Sequence, residues 1–91
     1  MLDPEDPDVQ NAVFGRQVEL FLETDIGQYL VRYADAEVNR ASEALKYVDP
    51  EDPKAIRELQ FKVRVAESVI GWLGEAIQNG AQSRVALEEN R

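Results

Sequence analysis

The run Ile56-Arg57-Glu58-Leu59-Gln60-Phe61-Lys62-Val63-Arg64-Val65-Ala66-Glu67-Ser68-Val69-Ile70-Gly71-Trp72-Leu73-Gly74-Glu75-Ala76-Ile77 decides the fold. Within it Ile56, Leu59, Val63, Ala66, Ile70, Leu73 and Ile77 recur at alternating steps of three and four. This is the repeat with which a helix presents one continuous apolar seam to a neighbour, as in a coiled coil. It predicts a helix over 53–79, opened by Pro53 at the first helical position and ended by Gly80 as a C′ residue after Asn79, with 81–91 as a tail.

The same run carries a second stripe, Phe61, Val65, Val69, Trp72 and Ala76, which at 100° per residue is read as lying about 180° from the seam. Arg57, Gln60, Arg64, Glu67 and Gln78 fall between the two faces. One neighbouring helix cannot cover both. Either a shorter N-terminal helix folds onto the second stripe, making a three-helix bundle, or another chain meets it, and association in an oligomer is the expectation. Gly71 and Gly74 each cost about 1 kcal/mol relative to Ala inside a helix. Their place beside Trp72 and Leu73 suggests close approach by a neighbouring element, although glycine is also tolerated near a helix end.

Upstream, residues 26–47 hold a matching register: Gly27, Val31, Ala34, Val38, Ala41, Leu45 and Val48 step by four and three throughout. Beside it Ile26, Tyr29, Leu30, Tyr33 and Ala36 widen the apolar face of the N-terminal half. Only five residues, 49–53, separate this helix from the next, so the two are expected to fold back as an antiparallel hairpin. A first helix is expected over about 8–22, with broad apolar coverage from Val9, Val13, Phe14, Val18, Leu20 and Phe21. Thr24 or Asp25 reads as a fresh N-cap, and a continuous kinked helix is the alternative. Trp72, Tyr29 and Tyr33 are the natural anchors of an interface, because aromatic rings combine large apolar area with a polar edge. The candidate interface is therefore Tyr29, Tyr33, Phe61, Val65, Val69, Trp72 and Ala76.

The word Asp-Pro-Glu-Asp-Pro occurs twice, at 3–7 after Leu2 and at 49–53 after Val48. Asp6 and Asp52 suit the N-cap, where a carboxylate accepts from orphan amides, and Pro7 and Pro53 suit the position that needs no N–H. Negative charge at that end also complements the helix dipole. Calcium binding is the competing reading, but a calcium loop alternates oxygen ligands around a glycine turn, whereas prolines stiffen these segments. A third is an acidic patch for a basic partner. Of the net charge of −8, seven units lie in residues 1–8 and 49–53, leaving the helical faces close to neutral.

Ninety-one residues form one domain with one core. Cysteine and histidine are both absent, which removes disulfides, thiolate or imidazole metal sites, Cys nucleophiles and a His general base. Ser42, Ser68, Ser83 and Thr24 have no histidine to activate them, and no Gly-rich phosphate loop is present. Glu37 and Glu67 at helical spacing lack the Glu-x-x-His partners of a dinuclear bundle site. Glu37 is expected to pair with Arg40 or Arg64. No enzyme activity, cofactor or metal is expected. The acidity disfavours direct contact with nucleic acid or an anionic membrane, and no apolar run is long enough to span a bilayer. A cytosolic chain with protein partners is the reading.

Phe21-Leu22, Asp25-Ile26-Gly27-Gln28-Tyr29-Leu30, Val65-Ala66-Glu67-Ser68 and Trp72-Leu73-Gly74-Glu75-Ala76-Ile77-Gln78-Asn79-Gly80 resemble small helical-hairpin proteins of tailed bacteriophages and prophages, over residues 14–80. The resemblance carries no catalytic motif. It implies viral origin, residence in the host cytoplasm or the virion, and a place among head or portal components. The functional expectation is a non-enzymatic structural or assembly component that binds itself or a phage structural protein. The alternative is a small acidic inhibitor of a host nucleic-acid-binding protein, and a regulatory adaptor of antitoxin type ranks below both.

Overall fold

The computed structural model describes residues 3–90, which are all-α: α1 Pro7–Glu23, α2 Asp25–Tyr47 and α3 Pro53–Glu89. The two Asp-Pro-Glu-Asp-Pro words fold alike. Asp3 and Asp49 accept through Oδ1 from the N–H groups of Glu5 and Glu51, each at 2.9 Å, and through their carbonyls from those of Asp6 and Asp52. Each turn delivers an N-cap. Asp6 accepts from the Asp8 N–H at 2.9 Å and Asp52 from the Ala55 N–H at 3.1 Å, with Pro7 and Pro53 opening their helices. Most of the protein's excess charge is thus placed at two helix starts, where the dipole favours it. Leu2, which precedes the first word, lies outside the described residues.

Thr24 separates α1 from α2 by leaving the helical region, with φ −77° and ψ 158°. It caps both helices. Its N–H and its hydroxyl donate to the Phe21 carbonyl at the end of α1, and its Oγ1 accepts from the Gly27 N–H at 3.0 Å at the start of α2. The break is therefore a double cap and not a kink in a continuous helix. Gly27 is required directly after it, because a Cβ there would stand 2.0 Å from the Phe21 carbonyl oxygen.

α1 and α2 lie one after the other along α3. Leu30, Ala34, Val65, Ala66 and Val69 line one groove, and Ala41, Ala44 and Leu59 line the next, so numbers rising in α2 meet numbers falling in α3. The same holds for α1, where Asp8 meets Ser83 and Gly15 meets Ala76 and Gly80. α3 is the spine: its 37 residues span about 55 Å at 1.5 Å per residue, within a molecule of 61 × 26 × 18 Å. The expected registers face inward. Gly27, Ala34 and Ala41 are buried and Val31, Val38, Leu45 and Val48 half-buried in α2, while Ala66 is buried and the other seam residues of α3 half-buried.

Three expectations are corrected, and one alternative is set aside. α3 does not end at Gly80 but runs on to Glu89, so 81–89 is helix and not tail. No glycine among the described residues has positive φ, and Gly80 serves instead as a crossing point: a Cβ on it would stand 2.9 Å from the Asn11 carbonyl oxygen and from the Gly15 Cα. Gly71 and Gly74, read as sites of close approach, face open space, since a Cβ on either would meet nothing within 4 Å. The second stripe is not opposite the seam, because Val65 and Val69 share a groove with Ala66; adjacent residues are only about 100° apart, so the two stripes form one wide face. Finally, α1 makes no three-helix bundle around this stripe. It covers the continuation of the stripe at Ala76, Gly80 and Ser83 and leaves Phe61 to Trp72 open.

Candidate protein-interaction surface

The most enclosed positions carry small residues, while larger seam residues such as Leu59, Ile70 and Leu73 are half-buried. Gly15, Val18, Gly27, Ala34, Ala41, Ala66, Gly80 and Ser83 are the buried set, and no large side chain is fully buried among the described residues. Small side chains let the helix backbones approach closely, and Gly15 against Gly80 is the extreme case. Two polar ties hold this end. Ser83, buried, donates its hydroxyl to Asp8 Oδ1 at 2.9 Å, and Arg84 reaches Glu19 at 3.4 Å. The first is a charge-assisted bond sheltered from water; the second is exposed and contributes little.

Several large apolar side chains of α2 and α3 stand outward. Tyr29, Tyr33, Phe61 and Trp72 are 65, 53, 66 and 68% exposed, and Val65 and Ile26 are exposed with them. Leu30, Tyr33 and Ala34 of α2 and Phe61, Val65, Ala66 and Val69 of α3 form the walls and floor of an open groove of about 380 Å³. Glu37 and Lys62 stand across from each other at its end, where it meets a second groove between Arg40, Ala41, Ala44 and Leu59. Tyr29 stacks beside Tyr33, their ring centroids 6.0 Å apart, which extends the apolar wall by one turn.

Of the seven interface residues expected from the sequence, the structure brings Tyr33, Phe61, Val65 and Val69 into this groove and sets Tyr29 against Tyr33. Trp72 is exposed one turn beyond it. Ala76 is set apart, because its carbonyl lies under α1, 2.9 Å from a Cβ placed on Gly15. Glu37 pairs with Arg40, one of its two expected partners. Leu30 and Lys62 line the groove without belonging to the expected interface. Periodicity places Leu30 beside Tyr33 and Ala34, but its partner across the groove depends on which residues of α3 stand level with it.

Among the described residues no group of three or more acidic side chains is placed to hold a metal ion, and no helix is long and apolar enough to cross a membrane. Every buried side-chain nitrogen and oxygen among them has a hydrogen-bond partner. The arrangement is an all-α chain with an apolar groove that has aromatic walls and a pair of opposite charges at its end. Comparison with protein-family models, with curated proteins and with solved structures found no match.

Proposed function

We propose that the protein is a non-enzymatic association module, a structural or assembly component of a bacteriophage particle that works by covering its exposed α2–α3 face with protein. The observation that carries this reading is where four large aromatic side chains stand. The Ile, Leu and Val residues of the seam are half-buried between the helices, while Tyr29, Tyr33, Phe61 and Trp72 are exposed on α2 and α3 at or beside one groove. A contiguous apolar surface of this kind is a cost in an isolated chain and marks an interaction site. Phage origin is supported by the resemblance over residues 14–80.

The acidic-inhibitor reading has less support. A phosphate mimic needs carboxylates arrayed along an open face, whereas Asp6 and Asp52 are engaged as caps, Asp3 and Asp49 in turns, and Asp8 with Ser83. Mass spectrometry of purified particles and of their assembly intermediates tests the assembly role. Recovery of the chain in either is the expected result. Its absence from both, with the chain captured instead on one host nucleic-acid-binding protein in a salt-sensitive manner, contradicts it.

A further inference from the structure

We infer that the groove between α2 and α3 is occupied by a second copy of this chain, related by a two-fold axis parallel to the helices, so that Glu37 of each copy meets Lys62 of the other. The inference rests on the proposed association role and names its first partner.

The area is sufficient for such a pairing. The exposed parts of Tyr29, Tyr33, Phe61 and Trp72 amount to about 500 Å², taking aromatic side chains as burying roughly 150–250 Å² each. Ile26, Leu30, Val65 and Val69 extend this toward the roughly 800 Å² that each partner contributes to a standard stable interface. A self-complementary contact supplies the same patch twice.

The charges select the axis. Glu37 and Lys62 occupy opposite walls of the groove at one level, Glu37 on α2 and Lys62 on α3. A two-fold axis along the helices sets α2 of one copy on α3 of the other at unchanged height. Glu37 then faces the second copy's Lys62, twice, at the edge of an apolar contact. A two-fold axis across the helices instead stacks α2 on α2 with heights reversed about the middle of the patch. That carries Glu37 and Lys62 to the far end, against the level of Tyr29 and Trp72, where neither meets an opposite charge of the second copy and Glu37 keeps only the Arg40 of its own chain. Opposed charges fix register more than they add affinity, which is the role assigned to them here. The net charge does not oppose pairing at this face, because seven of its eight units lie in 1–8 and 49–53, outside the groove.

Sedimentation equilibrium on the full chain, with circular dichroism to verify unchanged helix content, tests this. The wild type is expected to be dimeric, and Glu37→Lys and Lys62→Glu are each expected to weaken the dimer about tenfold or more, because like charges then meet at both edges. Mixing the two variants restores both opposite-charge pairs between chains while leaving each chain mismatched within itself. The mixture is therefore expected to form a mixed dimer of wild-type strength, whereas a mixture of Glu43→Lys with Lys46→Glu, reversed outside the groove, gains nothing over its components. A strictly monomeric wild type overturns the inference, and so does a dimer indifferent to Glu37 and Lys62 or a mixture that fails to recover. A monomer that is nevertheless found in phage particles overturns the second-copy pairing alone and supports the assembly role through another protein. If a charge reversal lowers helix content, Tyr33→Ala, which removes groove surface without adding charge, must still weaken the dimer.

Discussion

Gly15 and Gly80 cross backbone to backbone, so that a Cβ on either would stand 2.9 Å from the Cα of the other. This one contact sets the spacing of α1 on α3, with Asp8–Ser83 on one side and Glu19–Arg84 on the other. The atoms that a methyl group would meet belong to backbone, the Gly80 Cα and Ala76 carbonyl oxygen for Gly15, the Gly15 Cα and Asn11 carbonyl oxygen for Gly80, and cannot turn aside.

Gly15→Ala and Gly80→Ala are therefore expected to destabilise the fold by about 1–3 kcal/mol each, the usual range for overpacking. Gly71→Ala and Gly74→Ala meet nothing within 4 Å and are expected to stabilise it by about 0.5–1 kcal/mol through helix propensity. Urea midpoints of the four variants check the opposite signs directly.

Thr24→Ala removes the hydroxyl that joins the Phe21 carbonyl to the Gly27 N–H. A loss of about 1–2 kcal/mol, the upper part of the N-cap range, is expected, and Thr24→Ser should recover most of it. Hydrogen exchange at Gly27 and Gln28 reads the same change locally, since the amides of the first turn of α2 then open more often.

Asp52→Ala is expected to fray the start of α3 at a cost of about 0.5–2 kcal/mol, with Asp52→Asn close to wild type because the amide oxygen still accepts from the Ala55 N–H. Thermal unfolding of the two variants separates the cap from the charge. A protein equally weakened by both would owe more to the dipole interaction than to the hydrogen bond.

Substitutions at half-buried and at exposed positions of α3 should part company. Ile70→Asp places a carboxylate in the inward seam and is expected to unfold the chain. Trp72→Ala and Phe61→Asp alter exposed positions and are expected to leave helix content unchanged while abolishing association. Helicity by circular dichroism and mass by light scattering, measured on the same samples, give both readouts.

The helices and their inward registers are legible in the sequence because each is carried by local periodicity. Every residue from Gly27 to Val48 in the four-three register is buried or half-buried, and the repeated Asp-Pro-Glu-Asp-Pro word folds as two capping turns. What is not legible depends on contacts between distant residues. Gly80 after Asn79 has the composition of a helix end, and only Gly15, sixty-five positions upstream, explains why it is instead the centre of a crossing. Gly71 and Gly74 mislead for the converse reason, since a glycine without a neighbour looks the same in sequence as one that needs space. The candidate site is legible in its aromatic residues, but its shape is not. Treating the stripes as opposite faces hides the fact that Val65 and Ala66 line one groove, and that Lys62 stands across it from Glu37.

Trp72 is the protein's one tryptophan, and in the single chain it is 68% exposed. Its emission spectrum as a function of protein concentration is the most direct test that the outward aromatic face is covered by a second copy. Blue-shifted emission is predicted at high concentration, moving to the red on dilution with a midpoint that matches the dimer's dissociation and is displaced in Lys62→Glu. Emission characteristic of water-exposed indole at every concentration would contradict it.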